Sequence, residues 1–349
     1  MTFTMSGKMG GFLGLHGTSV PFGLRSALTA LAVLWLAMWL QLETPRWAAW
    51  TVLALALPTR GQVGRKGLSR VAGTLVGLVA GLAGMALFSQ SPIAMGMYLS
   101  SWFALSTYVS GRLPGFASYG AALAGLTAGF VVLLSAPAPL TAFDTALERG
   151  AEIVIGVGCV YVASAIAEIV QGKSAPPIGT SAPLPELASV WANTLRTFLV
   201  VGSTWAIWMA TAWPSGGVFV LFAGVVSIIF VTIPDGDRRA RGYLWGAGLG
   251  QFAGIAVRYE LLASAASFEL LALTLFPLFF MGAVGMTEPR TTPPALGYNL
   301  SFLIAVAPTN PMQYDLAASL NESVAVFAGI AFAAAAFRII LPERIWRGS

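Results

Sequence analysis

This sequence has little charge and almost no sulfur or imidazole chemistry. Asp, Glu, Lys and Arg make up 9% of its 349 residues, against about a quarter of an ordinary soluble domain, so water is not its main solvent. Its one cysteine, Cys159, excludes an intrachain disulfide framework and, lying in an apolar run, is read as small core filler. Its one histidine, His16, is read as an ordinary residue ahead of the first apolar run, and no Cys/His cluster accompanies it, so no metal and no other cofactor is expected. The phosphate-binding pattern Gly-x4-Gly-Lys-Ser/Thr is absent, which leaves an ion gradient rather than ATP to drive any active transport. No Ser/His/Asp, paired-His or metal constellation stands near a helix end, so an enzyme is not expected.

What is present is apolar: 57% of residues are hydrophobic and the mean hydropathy is +0.78. Runs bounded by charge, Pro or Gly fall near 24–42, 46–60, 69–88, 93–110, 114–135 and 146–170. A second set falls near 192–211, 216–233, 241–258, 268–286, 293–308 and 318–341, and many runs approach the roughly 20 residues that cross a bilayer. The expected fold class is therefore all-α: a polytopic membrane protein of about 12 transmembrane helices arranged as two parallel six-helix repeats. The expected organisation is a cytoplasmic tail over 1–23, the first repeat over 24–170, a cytoplasmic linker over 171–191, the second repeat over 192–341 and a cytoplasmic tail over 342–349. The linker is rich in Pro and Ser between Lys173 and Pro185. No short apolar core with a cleavage site opens the chain, so the N-terminus is read as a retained tail.

With both termini in the cytoplasm, sixteen of the nineteen Lys and Arg residues fall inside, and three, Arg46, Arg149 and Arg258, fall outside. One helix more or fewer in mid-chain would destroy that bias. Basic residues spread between spans, rather than gathered in one patch, make the net charge of +5 a matter of topology, and nucleic acid is not an expected partner.

The halves match at an offset of 171 residues, which pairs Arg25 with Arg196, Arg70 with Arg241, Gly77 with Gly248, and Gly158 with Gly329. Each third helix carries glycines at helical spacing: Gly73, Gly77 and Gly81 in one, Gly246, Gly248 and Gly250 in the other. Small residues four apart let helix backbones approach closely in lipid. They serve either as plain packing faces or as two stripes that meet across the symmetry axis and line a central pathway. Gly246-Ala-Gly248-Leu-Gly250 follows no soluble strand, so it is not a nucleotide loop.

Ionisable residues within a bilayer are costly and are candidates for function. Arg25, Arg196, Arg70 and Arg241 are the candidate anion-binding residues, with headgroup snorkelling as the plainer role for the end-placed pair. Glu152 and Glu322, with Asp144 and Asp315, are the candidate proton-coupling carboxylates; Glu148 shares a helix face with Glu152. Solvated helix starts are the plainer reading for all of them. Trp35 and Trp205 fall within the first helix of each half and are the candidate ring-stacking residues, with plain packing as the simpler role, while Trp47, Trp50 and Trp213 are assigned to the interfacial aromatic belt.

Trp47-Ala-Ala-Trp50-Thr-Val-Leu-Ala-Leu-Ala-Leu-Pro58, followed by Arg65-Lys-Gly-Leu-Ser-Arg70-Val-Ala-Gly-Thr-Leu-Val-Gly77, resembles the fusaric acid resistance (FUSC) family, which includes bacterial aromatic acid exporters. The stretch from Tyr314-Asp-Leu-Ala-Ala-Ser-Leu-Asn-Glu-Ser to Gly329, with Arg338 and Pro342 after it, is similar to the end of that family's C-terminal membrane block. Typical members are longer, with a cytoplasmic domain after each block, where this chain has only its short linker. The resemblance implies an inner-membrane, proton-driven efflux transporter of small, aromatic carboxylic acids. Its implied partners are membrane lipid, the organic anion substrate and a periplasmic adaptor protein, with a homodimer if the two halves do not complete one pathway. Two alternatives stay open: a passive anion channel similar to the plant aluminium-activated malate transporters, and a membrane subunit that needs a separate soluble partner.

Overall fold

The computed structural model describes residues 19–55, 60–171, 184–230, 236–263 and 267–341. Most of the expected N-terminal tail with His16, most of the linker with Lys173, and the 342–349 tail lie outside the described residues.

Among the described residues there are twelve α-helices and no strand. The first six are α1 (Ser19–Trp39), α2 (Arg46–Leu55), α3 (Arg60–Phe88), α4 (Pro92–Arg112), α5 (Gly115–Ser135) and α6 (Ala142–Gln171). The second six are α7 (Leu187–Thr211), α8 (Gly216–Ile229), α9 (Gly236–Ala256), α10 (Phe268–Gly285), α11 (Thr292–Val306) and α12 (Leu316–Ile339). Helices are what apolar solvent demands, because each satisfies its own backbone donors and acceptors. Six stretches, in α1, α3, α5, α6, α10 and α12, are long and apolar enough to cross a membrane alone. The others are too short or too polar to meet that test: α8 has 14 residues, about 21 Å of rise, and twelve of them are buried.

The chain leaves α1 through a left-handed residue, Gln41, and leaves α7 through another, Ala212, 171 residues later. Helix pairings repeat in the same way. α3 packs on α5 as α9 packs on α11, α2 on α6 as α8 on α12, and α1 on α2 as α7 on α8. The halves meet through reciprocal pairs: α4 with α7 and α1 with α10, α5 with α8 and α2 with α11. This is two-fold pseudo-symmetry between parallel repeats.

The glycine stripes do not meet across that axis. An added Cβ on Gly73 would strike the carbonyl of Gly120; on Gly77 it would lie 2.7 Å from the carbonyl oxygen of Ala124, and on Gly81 2.7 Å from Val131, so this stripe seats α3 on α5. In the second half Gly246 meets the Pro294 carbonyl, Gly250 lies 2.5 Å from that of Tyr298, and Gly254 2.5 Å from Ala305, so α9 seats on α11. The central-pathway expectation for the third helices is thereby corrected: each third helix packs within its own half. Gly248 is off the stripe and faces Phe327 of α12 at 3.2 Å.

These contacts also correct the register. Positions 73, 77 and 81 correspond to 246, 250 and 254, an offset of 173. In the same way Gly156 sits on Thr51 and Ala48 of α2 as Gly329 sits on Phe222 and Phe219 of α8, so α2 and α8 keep the offset 171 while α6 and α12 take 173. The structural counterpart of Arg70 is therefore Tyr243 and not Arg241. Both Arg70 and Tyr243 are fully buried, whereas Arg241 is exposed.

Candidate functional site

The second helix of the first half is wrapped by charge. Arg70 of α3 is 1% exposed, and Arg149 of α6 is 5% exposed with Glu152, one turn on, at 0%. Buried ions cost several kcal/mol each unless paired and hydrogen-bonded, so their partners define the site. Arg149 Nη1 donates to Glu152 Oε2 at 3.4 Å, and the Thr44 hydroxyl, in the α1–α2 turn, donates to Glu152 Oε1 at 2.6 Å. The Arg149 guanidinium lies 4.2 Å from the Phe130 ring centroid, 4.7 Å from Trp47 and 6.0 Å from Trp50. Those three rings meet edge to face at 4.9 to 6.5 Å, the preferred aromatic geometry, and present ring faces to the cation.

Trp47 joins this pair to a second one. Arg46, at the start of α2, lies 5.2 Å from the Trp47 ring, reaches Glu322 of α12 at 3.4 Å, and donates to the Ile304 carbonyl of α11 at 3.3 Å. This pair is half-exposed where Arg149–Glu152 is buried, with side-chain exposures of 17% and 30% against 5% and 1%. One continuous contact path thus runs Glu152–Arg149–Trp47–Arg46–Glu322 and crosses from one half to the other. On the other side of Trp50, Arg70 lies 5.6 Å from its ring and donates to the Tyr119 hydroxyl at 2.6 Å and the Thr51 hydroxyl at 3.2 Å. Lys66, one turn earlier on α3, donates to the Ala54 carbonyl at 2.7 Å and lies 5.0 Å from the Tyr119 ring.

Of the candidate binding and proton-coupling residues named from the sequence, Glu152, Glu322 and Arg70 are brought to this site and the rest lie elsewhere. Arg196 is buried and clamps the end of α12, donating to the carbonyls of Ile340 and Leu341 and to Asn193, with Phe337 4.9 Å away. Arg25 is half-buried beside Phe22. Asp144 stands exposed in the first turn of α6, and Asp315 caps α12 by accepting from the Ala318 amide at 2.9 Å. Trp205 is buried in the α4–α7 seam against Gly96. Trp35 is half-exposed, stacks on Trp39 at 6.4 Å, and lines a cavity of about 560 Å³ with Met38, Phe268, Met312 and Tyr314.

Three readings are corrected. Trp47 and Trp50 are 4% and 3% exposed, not interfacial anchors, because α2 is enclosed by α1, α6 and α11. Arg149, counted among the outside charges, is inside the bundle. The signal was present: Glu148-Arg149-x-x-Glu152 opens an apolar helix, and an arginine and a glutamate three apart share one face.

A sequence profile described as the fusaric acid resistance protein family matches residues 19–176 and again 171–347. The chain belongs to this family. The two matches of this FUSC profile coincide with the two six-helix halves. Among curated FUSC-like relatives, the chain is 32% identical over 165 residues to the p-hydroxybenzoic acid efflux pump subunit AaeB of Escherichia fergusonii, covering 45% of this chain and 25% of that one. It is 31% identical over 162 residues to AaeB of Shigella boydii serotype 4, covering 44% and 25%. To an uncharacterized transporter of Gluconobacter oxydans it is 29% identical over 150 residues, covering 43% and 20%. The match spans about a quarter of the length of these relatives. No solved structure matches the chain.

Proposed function

We propose that this FUSC-family chain exports small aromatic carboxylic acids across the bacterial inner membrane, with protons moving inward in exchange. The observation that carries the reading is Glu152: a carboxylate at 0% exposure, held by one arginine and one hydroxyl among aromatic rings. A lone structural carboxylate gains nothing from such a place, whereas a carboxyl that takes up and releases a proton as the site opens to either side needs a partner that can be exchanged. Arginine supplies bidentate recognition of a substrate carboxylate and the rings supply stacking faces for its aromatic group. The relatives named for p-hydroxybenzoic acid efflux support the substrate class, and the charge distribution supports an orientation with both termini in the cytoplasm. A periplasmic adaptor and a second copy of the chain are the partners we propose for the complete assembly.

Reconstitution into liposomes tests the proposal. Accumulation of p-hydroxybenzoate against its gradient only when a proton gradient is imposed is the expected result. Anion conductance without coupling would replace the exporter with a passive channel. No flux until a co-purifying soluble protein is added would make the chain one subunit of a larger machine.

A further inference from the structure

We infer that Arg149 is the carboxylate-binding residue for an aromatic monocarboxylate of benzoate size, and that the incoming carboxylate takes the place of Glu152 on the guanidinium. The inference rests on the export reading above and gives it a site. Three observations on different residues carry it.

The first is spare capacity. Arg149 has five N–H donors, of which one nitrogen meets Glu152 at 3.4 Å, while its Nε is buried without a partner. The indole nitrogen of Trp50, on the same cage, is also buried and unpartnered. A second carboxylate would find donors that the folded chain leaves idle.

The second is asymmetry. At the offsets set by packing, 171 for α2, 173 for α3 and α6, and 174 for α5, where Ala124 corresponds to Tyr298, the first half's cluster can be read against its twin. Trp47 and Trp50 become Val218 and Leu221, Phe130 becomes Ile304, Glu152 becomes Ala325, Arg70 becomes Tyr243, and Arg149 becomes Glu322, the carboxylate that pairs with Arg46. Leu221, Ile304, Ala325 and Tyr243 are all buried there in an apolar core. The same architecture therefore closes without a buried ion pair: the one charge among these counterparts, Glu322, is partly exposed and pairs across the seam with Arg46. Because replacing a buried ion pair by apolar residues is commonly neutral or stabilising, packing gives no reason to keep Arg149–Glu152 in one half alone. A ligand does, and it gives one site per chain.

The third is access. Arg46–Glu322 repeats the guanidinium–carboxylate chemistry on the outer side of Trp47 and is partly exposed, so a carboxylate leaving Arg149 meets a second arginine across one indole ring. The site is closed in this structure. In the exchange, the substrate carboxylate pairs with Arg149 as Glu152, still ionised and held by the Thr44 hydroxyl, lets go; after the substrate leaves on the outside Glu152 takes up one proton there, and it gives that proton up on the inside and pairs with Arg149 again. No other bond is made or broken. The charged and titratable groups that surround the pair are Glu43 from the α1–α2 turn, Arg46 from α2, Arg70 from α3, Glu148 from α6 itself and Glu322 beyond Arg46. α5 presents the Phe130 ring.

The test uses the full chain in nanodiscs, with benzoate as probe and acetate as its non-aromatic control, read by tryptophan quenching and by the ligand-induced rise in unfolding temperature. Glu152→Gln removes the competing carboxylate and leaves a buried cation. It should bind benzoate at least about tenfold tighter than the wild type near neutral pH, and its affinity should lose the wild type's dependence on pH. Its thermal stabilisation by benzoate should exceed the wild type's. The Arg149→Gln/Glu152→Gln double variant carries no buried charge at the pair, so it should fold and fail to bind. In liposomes Glu152→Gln should still exchange internal for external benzoate but lose proton-driven accumulation. Benzoate binding by the double variant within about twofold of wild type, or no tightening in Glu152→Gln, overturns the site. Such variants alongside intact coupled transport by the wild type would leave the export reading standing, whereas the expected binding pattern with no transport would overturn export and keep the site. A wild type that neither binds nor moves benzoate overturns both.

Discussion

The α3–α5 seam makes a graded stability prediction. In Gly73→Ala the new methyl is driven into the Gly120 carbonyl, backbone against backbone, where no side chain can swing aside. Overpacking of that kind costs about 1–3 kcal/mol, against which alanine contributes about 0.5–1 kcal/mol over glycine within a helix. The expected net loss is about 1–2 kcal/mol. Gly246→Ala, its counterpart against Pro294, should lose as much. Gly248→Ala meets only the ring of Phe327 at 3.2 Å, a side chain that is 43% exposed and free to turn, so it should lie near neutral. Gly158→Ala has nothing within 4 Å of its new carbon and should equal or exceed the wild type. Thermal unfolding of the four variants in one detergent, followed by intrinsic tryptophan fluorescence, gives the order. If Gly73→Ala is as stable as Gly158→Ala, the close approach of α3 to α5 is not as described and the corrected register falls with it.

Three further outcomes are expected. Arg196→Ala should destabilise the chain by about 2–3 kcal/mol and expose the end of α12 to protease, because charge-assisted hydrogen bonds to the Ile340 and Leu341 carbonyls are lost; unchanged cleavage and melting would refute the clamp. A double-mutant cycle on Arg46→Gln and Glu322→Gln should yield a coupling of only about 0–1 kcal/mol, since the pair is partly exposed, and a coupling several-fold larger would mean that it is buried. With Cys159 replaced, a cysteine at Gln313 should react with an impermeant thiol reagent added to intact cells and one at Gln62 should not; the reverse pattern would invert the topology.

Helix number and class were legible because apolar runs bounded by charge, Pro or Gly mark the helices in the sequence, and even the 293–308 run is a helix, α11. The duplication was legible too, but its register was not. Matching Arg70 to Arg241 by identity aligned a buried side chain with an exposed one, since identity carries no information on which way a residue faces. The small residues that touch backbone were the better ruler, and they moved the match by two. For the site, Glu152 stood out as a deep carboxylate, whereas Trp47 and Trp50 were misjudged because nearness to a helix end predicts an interface only for a helix on the rim of the bundle. Arg149 was hidden by the charge tally, which assigns each cation to a side of the membrane and has no place for one between them.

The two halves touch along seams of unequal character. Between α5 and α8 the contact is tight: an added carbon on Gly125 would lie 2.8 Å from Ile228, and one on Gly217 3.0 Å from the Leu133 carbonyl. At the position of the α2–α11 seam that corresponds to Gly217 stands Arg46, which bridges to Ile304 and Glu322 through contacts of 3.3 and 3.4 Å. Interlocked apolar contacts resist sliding and separation, because any gap forfeits dispersion energy at once, while a partly hydrated ion pair can lengthen, admit water and re-form at small cost. Rotation of one half against the other is therefore cheapest when α5–α8 serves as the fulcrum and α2–α11 as the edge that parts. The lever arm of that motion ends on Trp47, so the same movement that parts Arg46 from Glu322 would unroof Arg149.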